Sequence, residues 1–171
     1  PAHCNRNSVI QSISQCLTDI IVSMRTIQRE IVGGFILSAD DKILLGKSGV
    51  FSGSYCVPGG GIDDGETLYQ ALAREVLEET GISVANAVVK ELDGVSNATS
   101  EKVLQDSGEK VLVDMNFHDF LVRLNETSEQ INLVLEDDFT DAQWFDVHEL
   151  EELNMSPTTK VRLVYIGYGS S

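Results

Sequence analysis

Glu75, Glu78 and Glu79 stand at i, i+3 and i+4 in a stretch that reads as a helix from Glu66 to Thr80. That spacing puts their three carboxylates on one side of the helix, within reach of one another. Like charges so placed repel by roughly a few tenths of a kcal/mol per pair unless something binds between them. A hard divalent cation removes that cost, because Mg²⁺ takes oxygen ligands from one or two carboxylates together with substrate phosphates. A solvated acidic face is the ordinary alternative, but it leaves the preceding loop unexplained. Val57-Pro58-Gly59-Gly60-Gly61 sets three glycines after a strand-like SYCV. Such a run allows positive φ and the close backbone approach that a phosphate or metal site needs.

Loop and helix together follow the pattern G-x5-E-x7-R-E-U-x-E-E-x-G-U, with U aliphatic. Gly60, Glu66, Arg74, Glu75, Val76, Glu78, Glu79, Gly81 and Ile82 fill every specified place. At average residue usage, the odds of a chance match somewhere in the chain are below about one in a million. This stretch resembles the signature box of the Nudix hydrolases. The resemblance implies an α/β fold, an α/β/α sandwich around a mixed β-sheet. It also implies hydrolysis of a nucleoside diphosphate linked to another moiety, with Mg²⁺ as cofactor and Mn²⁺ as a substitute.

Carried over residue by residue, the resemblance makes Glu75 and Glu79 the metal ligands, with Glu78 close behind and the Gly59 carbonyl as backbone ligand. Arg74 is expected to hold Glu75 by a charge-assisted hydrogen bond, fixing the ligand's rotamer. Glu66 supports the metal shell through water or orients the start of the helix. The general base is a box glutamate, Glu75 or Glu78, or an acid from a late loop. Among Glu136, Asp137, Asp138 and Asp141, Glu136 ranks first, although a solvated acidic loop accounts for any single one of them. Gly60 and Lys47 are expected at the substrate, Lys47 standing where many members carry a phosphate-contacting base. A solvated surface lysine is an equal reading of it.

The surrounding elements must position these groups. Ile27 to Leu37 reads as a strand interrupted by Gly33-Gly34, where glycines mark a bulge or a close approach. Asp40-Asp41 is a turn and Lys42 to Gly46 the returning strand. Leu68, Ala71, Leu72, Val76 and Leu77 form the apolar side of the box helix, which Gly81 terminates. Ser83 to Val95 reads as a strand kinked near Asp93-Gly94, and Asn97 to Gly108 as an exposed loop or hairpin excursion. Lys110 to Leu124 is the longest strand candidate, with Val111, Val113, Met115, Phe117 and Asp119 on one face. Asn116 and His118 share the other, and Asn116 is expected to reach the substrate cleft. A short strand is expected in INLVLE. Thr140 to Phe145 is a late strand whose Trp144 reads as core, and Val147 to Leu153 a short helix. Ser156 caps a last helix with Pro157 at its first position, packed through Val161, Leu163, Val164 and Ile166.

Residues 1–23 differ from the rest. Ile10, Ile13, Leu17, Ile20 and Ile21 recur at helical spacing, giving an N-terminal extension that is helical and dispensable for chemistry, with 24–171 as the hydrolase domain. Packing on a second copy, as a homodimer, is one use for that helix. The 171 residues suit one core, with 42 % hydrophobic and 23 % charged content. No apolar run reaches the length of a membrane span and no secretory leader is evident. Cys4, Cys16 and Cys56 form no CxxC pair, so a reducing cytoplasm is expected. A formal net charge of −15 argues against a nucleic-acid polymer as partner. It admits a small nucleotide if cations bridge site and phosphates. The expected substrate is a nucleoside triphosphate cut to monophosphate and pyrophosphate. A nucleotide sugar or ADP-ribose-type compound comes second, and a nucleotide-binding sensor without turnover is the alternative from another class.

Overall fold

The computed structural model describes residues 24–49, 53–94, 96–135 and 139–168. The N-terminal extension and Glu136, Asp137 and Asp138 lie outside the described residues. In chain order come β1 (Arg25–Leu37), β2 (Ile43–Ser48), β3 (Tyr55–Cys56), α1 (Leu68–Thr80), β4 (Val88–Glu91), β5 (Ser96–Val103), β6 (Lys110–Arg123) and β7 (Phe139–Phe145). A 3-10 helix (Val147–Glu152) and α2 (Pro157–Tyr165) follow. Among the described residues the strands form one sheet in the order β3-β2-β1-β6-β4, with β5 on β6 and β7 on β2. β1–β2, β2–β3, β2–β7 and β4–β6 run antiparallel, and an isolated parallel bridge joins Tyr55 to Met155.

The chain divides into two compact units, residues 24–29 with 98–115 and residues 30–97 with 116–168. In the first, Arg25 forks onto Glu109 (Nε to Oε1 3.0 Å, Nη2 to Oε2 2.7 Å) and Gln28 donates to Asp114 at 3.0 Å. The polar stretch after Asn97 is a β-hairpin here. Its turn is closed by Leu104 N on the Glu109 carbonyl and by Gly108, in the left-handed region at φ 69°.

In the second unit, alternation along β1 sends its side chains to two cores. Val32 and Ile36 pack with Ala71, Leu72 and Val76 of α1 and with Phe120 and Val122 of β6. Phe35 and Leu37 pack on the opposite face with Ile43, Leu45 and Phe145, covered by Leu150 and Leu163 from the 3-10 helix and α2. The result is the expected α/β/α sandwich. Gly33-Gly34 mark a close approach. A Cβ at Gly34 would stand 3.2 Å from Leu72 and 3.3 Å from Val76, so the helix seats directly on bare backbone.

Several boundaries differ from the sequence reading. The box helix begins at Leu68 because Thr67 caps it: the Thr67 hydroxyl accepts from Gln70 N while the Gln70 side chain accepts from Thr67 N. Leu77 is exposed, and Thr80 takes the buried place one turn past Val76. Among the described residues 83–94 only Val88–Glu91 is a strand, and residues 131–135 form none. Val134 is tied instead to the end of α1, its N–H donating to the Thr80 carbonyl. On α2, Val161 is exposed and Arg162 buried, so one basic residue displaces an apolar one from the packing side. Trp144 packs against the α1-side core.

Replacing Thr67 by Ala removes the acceptor for Gln70 N and is expected to lower unfolding stability by about 1 kcal/mol in urea denaturation. Thr67→Ser, which keeps the hydroxyl, should stay close to the parent.

Candidate active site

The glycine loop runs beside β1 as an added strand. Gly34 N donates to the Pro58 carbonyl and Val32 N to the Gly60 carbonyl, both at 2.9 Å, and Ile62 N reaches the Glu30 carbonyl at 3.3 Å. Gly59, between the two paired carbonyls, presses so closely on β1 that any Cβ would overlap the Val32 carbonyl. Its N–H turns to α1 and donates to Glu79 Oε2 at 2.8 Å. At Gly60 a Cβ would stand 2.5 Å from the Glu75 carboxylate. Gly60 therefore leaves clear the space of the Glu75 carboxylate, which a side chain there would fill, while Gly59, bare against β1, turns its N–H to Glu79.

Arg74 organises the rest. Nε and Nη2 grip Glu66 at 2.8 Å each, Nη2 also reaches the Gly61 carbonyl at 2.9 Å, and Nη1 donates to Glu75 at 2.7 Å and Glu78 at 3.3 Å. Asp63 stands 3.8 Å from Nε, and its N–H donates to Glu66. One cation thus faces four carboxylates. The Arg74 hydrogen bonds, helped by Asp63 N–H, pull Glu66 down to about 2. Glu75 goes the other way: burial raises it, the Arg74 bond and charge oppose, and the neighbouring charges of Glu78 and Asp63 add to the rise. Glu78 is half exposed, while Glu75 is largely covered. Among the described residues no three His, Cys, Asp or Glu side chains converge as metal ligands, since Arg74 and Gly59 N–H hold the glutamates apart.

The other expected site residues lie elsewhere. Lys47 is on β2, its ammonium 3.1 Å from Asp141 and 5.2 Å from the centre of the Tyr55 ring. Asp141, a late-loop acid by sequence, is in β7 at φ 51° and is Lys47's partner. Asn116 points to the α1 side of the sheet, donating to Glu30 at 2.8 Å and accepting from Asn97 at 2.5 Å. His118 beside it contacts Glu30 at 2.6 Å. Cys56 is buried, and that burial pushes its thiol up to about 12, with the Glu79 charge adding.

Sequence reading missed one group. Asp119 and Arg162 form a buried pair at 2.7 Å beside the glycine loop. Its only sequence signal was the placement of Asp119 on the apolar face of β6, and nothing pointed to its partner 43 residues on.

The chain is similar to known proteins along most of its length. The NUDIX domain model matches residues 28–163. An RNA pyrophosphohydrolase of Rickettsia bellii is 33 % identical over 126 residues, covering 70 % of this chain and 75 % of that protein. One from the Wolbachia of Brugia malayi is 28 % identical over 132 residues, covering 76 % and 82 %. The structure of the E. coli dihydroneopterin triphosphate pyrophosphohydrolase superposes with a TM-score of 0.62 at 16 % identity, over 83 % of this chain and 97 % of that one. The α/β/α sandwich and the family match are those of an anhydride-cleaving hydrolase. The chain belongs to the Nudix hydrolase family. Enzymes of this family are generally dependent on a divalent metal. No helix among the described residues is long and apolar enough to cross a membrane.

Because Glu66 lies below its ordinary 4.5, its bond to Arg74 stabilises the fold fully above about pH 4.5 and loses that effect as pH falls through about 2. Denaturation of wild type and Glu66→Gln across this range should show a stability difference that shrinks steadily with acidification.

Proposed function

We propose that this chain is a Mg²⁺-dependent pyrophosphohydrolase that cuts a nucleoside triphosphate to monophosphate and pyrophosphate. The observation carrying this reading is the seating of Glu75 and Glu79 against Gly60 and Gly59, with one arginine facing a surplus of carboxylates. A divalent cation is the natural complement to that surplus. The donor set is all oxygen, which suits Mg²⁺. Glu75 and Glu79 hold the ion in this reading, with Glu78 and the Gly59 carbonyl completing the protein's share. When bound, the ion neutralises phosphate charge and orients the attacking water.

The chain's own residues do the remaining work. Arg74 fixes the Glu75 rotamer through the 2.7 Å bond while Glu66 fixes Arg74. Gly60 keeps the space over Glu75 clear. Glu75 or Glu78 takes the water's proton in one version, and Glu136 from the late loop in the other. Lys47 exchanges Asp141 for a substrate phosphate, and Asn116 lies beside the substrate. Residues 24–171 form the catalytic domain, and 1–23 are an appendage not needed for turnover.

The relatives named RNA pyrophosphohydrolases favour a second substrate, a pyrophosphate bond on an RNA. The −15 charge disfavours a polymer and ranks this reading second.

Wild type and Glu79→Gln are compared on nucleoside triphosphates, ADP-ribose, a nucleotide sugar and a 5′-triphosphorylated RNA oligomer, with Mg²⁺ and product identification. Pyrophosphate release from a nucleoside triphosphate is expected, falling roughly a hundredfold or more in the variant. Preference for RNA or ADP-ribose would replace the substrate, and tight binding without turnover would contradict the enzyme.

A further inference from the structure

Asp119 lies on β6, on the face of the sheet opposite α1, and its side chain is 6 % exposed. Arg162 of α2 donates through Nε to Asp119 Oδ2 at 2.7 Å, and the Ser96 hydroxyl donates to the same oxygen at 3.2 Å. The two remaining guanidinium nitrogens of Arg162 are fixed on the Asp93 carbonyl, at 2.9 Å, and on the Gly94 carbonyl. Arg162 is therefore anchored by the turn after β4 and engages only one carboxylate oxygen.

The second oxygen, Oδ1, points toward β1. It lies 2.8 Å from where a Cβ of residue 33 would stand, a place left clear because that residue is Gly33. Asp119 and Gly33 line a cleft of about 50 Å³ together with Val57, Gly59, Phe117 and Thr158. Among the described residues none donates a hydrogen bond to Oδ1. Oδ1 opens to the cleft rather than being sealed in the core, so a donor entering the cleft can reach it. Arg162 already balances the charge, so the fitting donor is a neutral N–H rather than a cation. At roughly 10–15 Å³ per water-sized site, the cleft takes the substituted edge of a planar ring and not a whole nucleoside. Phe117 and Val57 give it apolar walls. Gly59 links it to the chemistry, since the same residue's N–H holds Glu79.

We propose that Asp119 Oδ1 is the acceptor that selects the nucleobase, taking a hydrogen bond from a ring amino group seated between Gly33 and Phe117. This rests on the nucleotide-hydrolase reading above. Arg162 is a positioning residue, holding Oδ2 so that Oδ1 stays aimed at the cleft. Uracil is disfavoured, because its only ring N–H is flanked by two carbonyls that would face the carboxylate.

The test uses base analogues on the wild-type protein with Mg²⁺. ATP is paired with purine riboside triphosphate, which lacks the 6-amino group. GTP is paired with inosine triphosphate, which lacks the 2-amino group, and UTP is run alongside. In the better-used pair, loss of the amino group is expected to lower kcat/KM at least about tenfold. Asp119→Asn keeps a carbonyl for Arg162 and presents an NH₂ to the cleft. It should level that preference and raise UTP relative to the amino bases, whereas a merely structural Asp119 would lower all substrates alike. If the variant fails to fold, the wild-type analogue series still decides. Turnover of amino, desamino and uracil nucleotides within about twofold of one another overturns the base-reading role and leaves the hydrolase standing. No hydrolysis of any nucleotide overturns both.

Discussion

The guanidinium of Arg74 holds the site together. It reaches three carboxylates and a loop carbonyl at once, so α1 and the glycine loop are locked in one relative position. The arrangement is unbalanced in charge: Glu66 is satisfied by the arginine, while Glu75, more deeply covered, is left with its ionised form disfavoured. That imbalance follows from geometry, because Glu66 takes the bidentate fork, whereas burial raises Glu75 against the opposing pull of a single Arg74 bond. Arg74 thus divides its charge unequally, with two bonds to Glu66 and one each to Glu75 and Glu78.

The backbone supplies the matching half. Gly59 and Gly60 lie along β1, which is itself packed on α1 through Val32, Gly34 and Ile36. Helix, loop and strand form one closed circuit of contacts, and the carboxylates sit where it closes. The exposed Lys47–Asp141 pair lies apart from that circuit and is the kind of surface contact that contributes little to stability.

The box and its helix were legible in sequence because the spacing of Glu75, Glu78 and Glu79 obeys helical geometry and the glycines stand at fixed offsets before it. The late strand, the cap at Ser156 and the hairpin excursion were legible from local turn and periodicity signals. What escaped depended on contacts between distant segments. Arg162 replaces Val161 on the inward side of α2 because Asp119, far away in sequence, neutralises it. The segment 83–94 is mostly not strand because β4 pairs with β6 over only Val88 to Glu91. Asn116 was placed correctly on a strand face, but its hydrogen bonds to Glu30 and Asn97 could not be foreseen from alternation alone. The expectations for residues 1–23 and Glu136 fall outside the described residues.

The divalent-cation site we propose lies at Glu75 and Glu79, beside Gly60 and Gly59. Its most direct test is Mn²⁺ binding followed by electron paramagnetic resonance in wild type and in Gly60→Ala, with thermal unfolding measured on both. Wild type should bind Mn²⁺, and Gly60→Ala, folded and of similar thermal stability, should bind at least about tenfold more weakly because its methyl group displaces the Glu75 carboxylate. Equal affinity in the two proteins, or no binding by wild type, would contradict a cation site at Glu75 and Glu79.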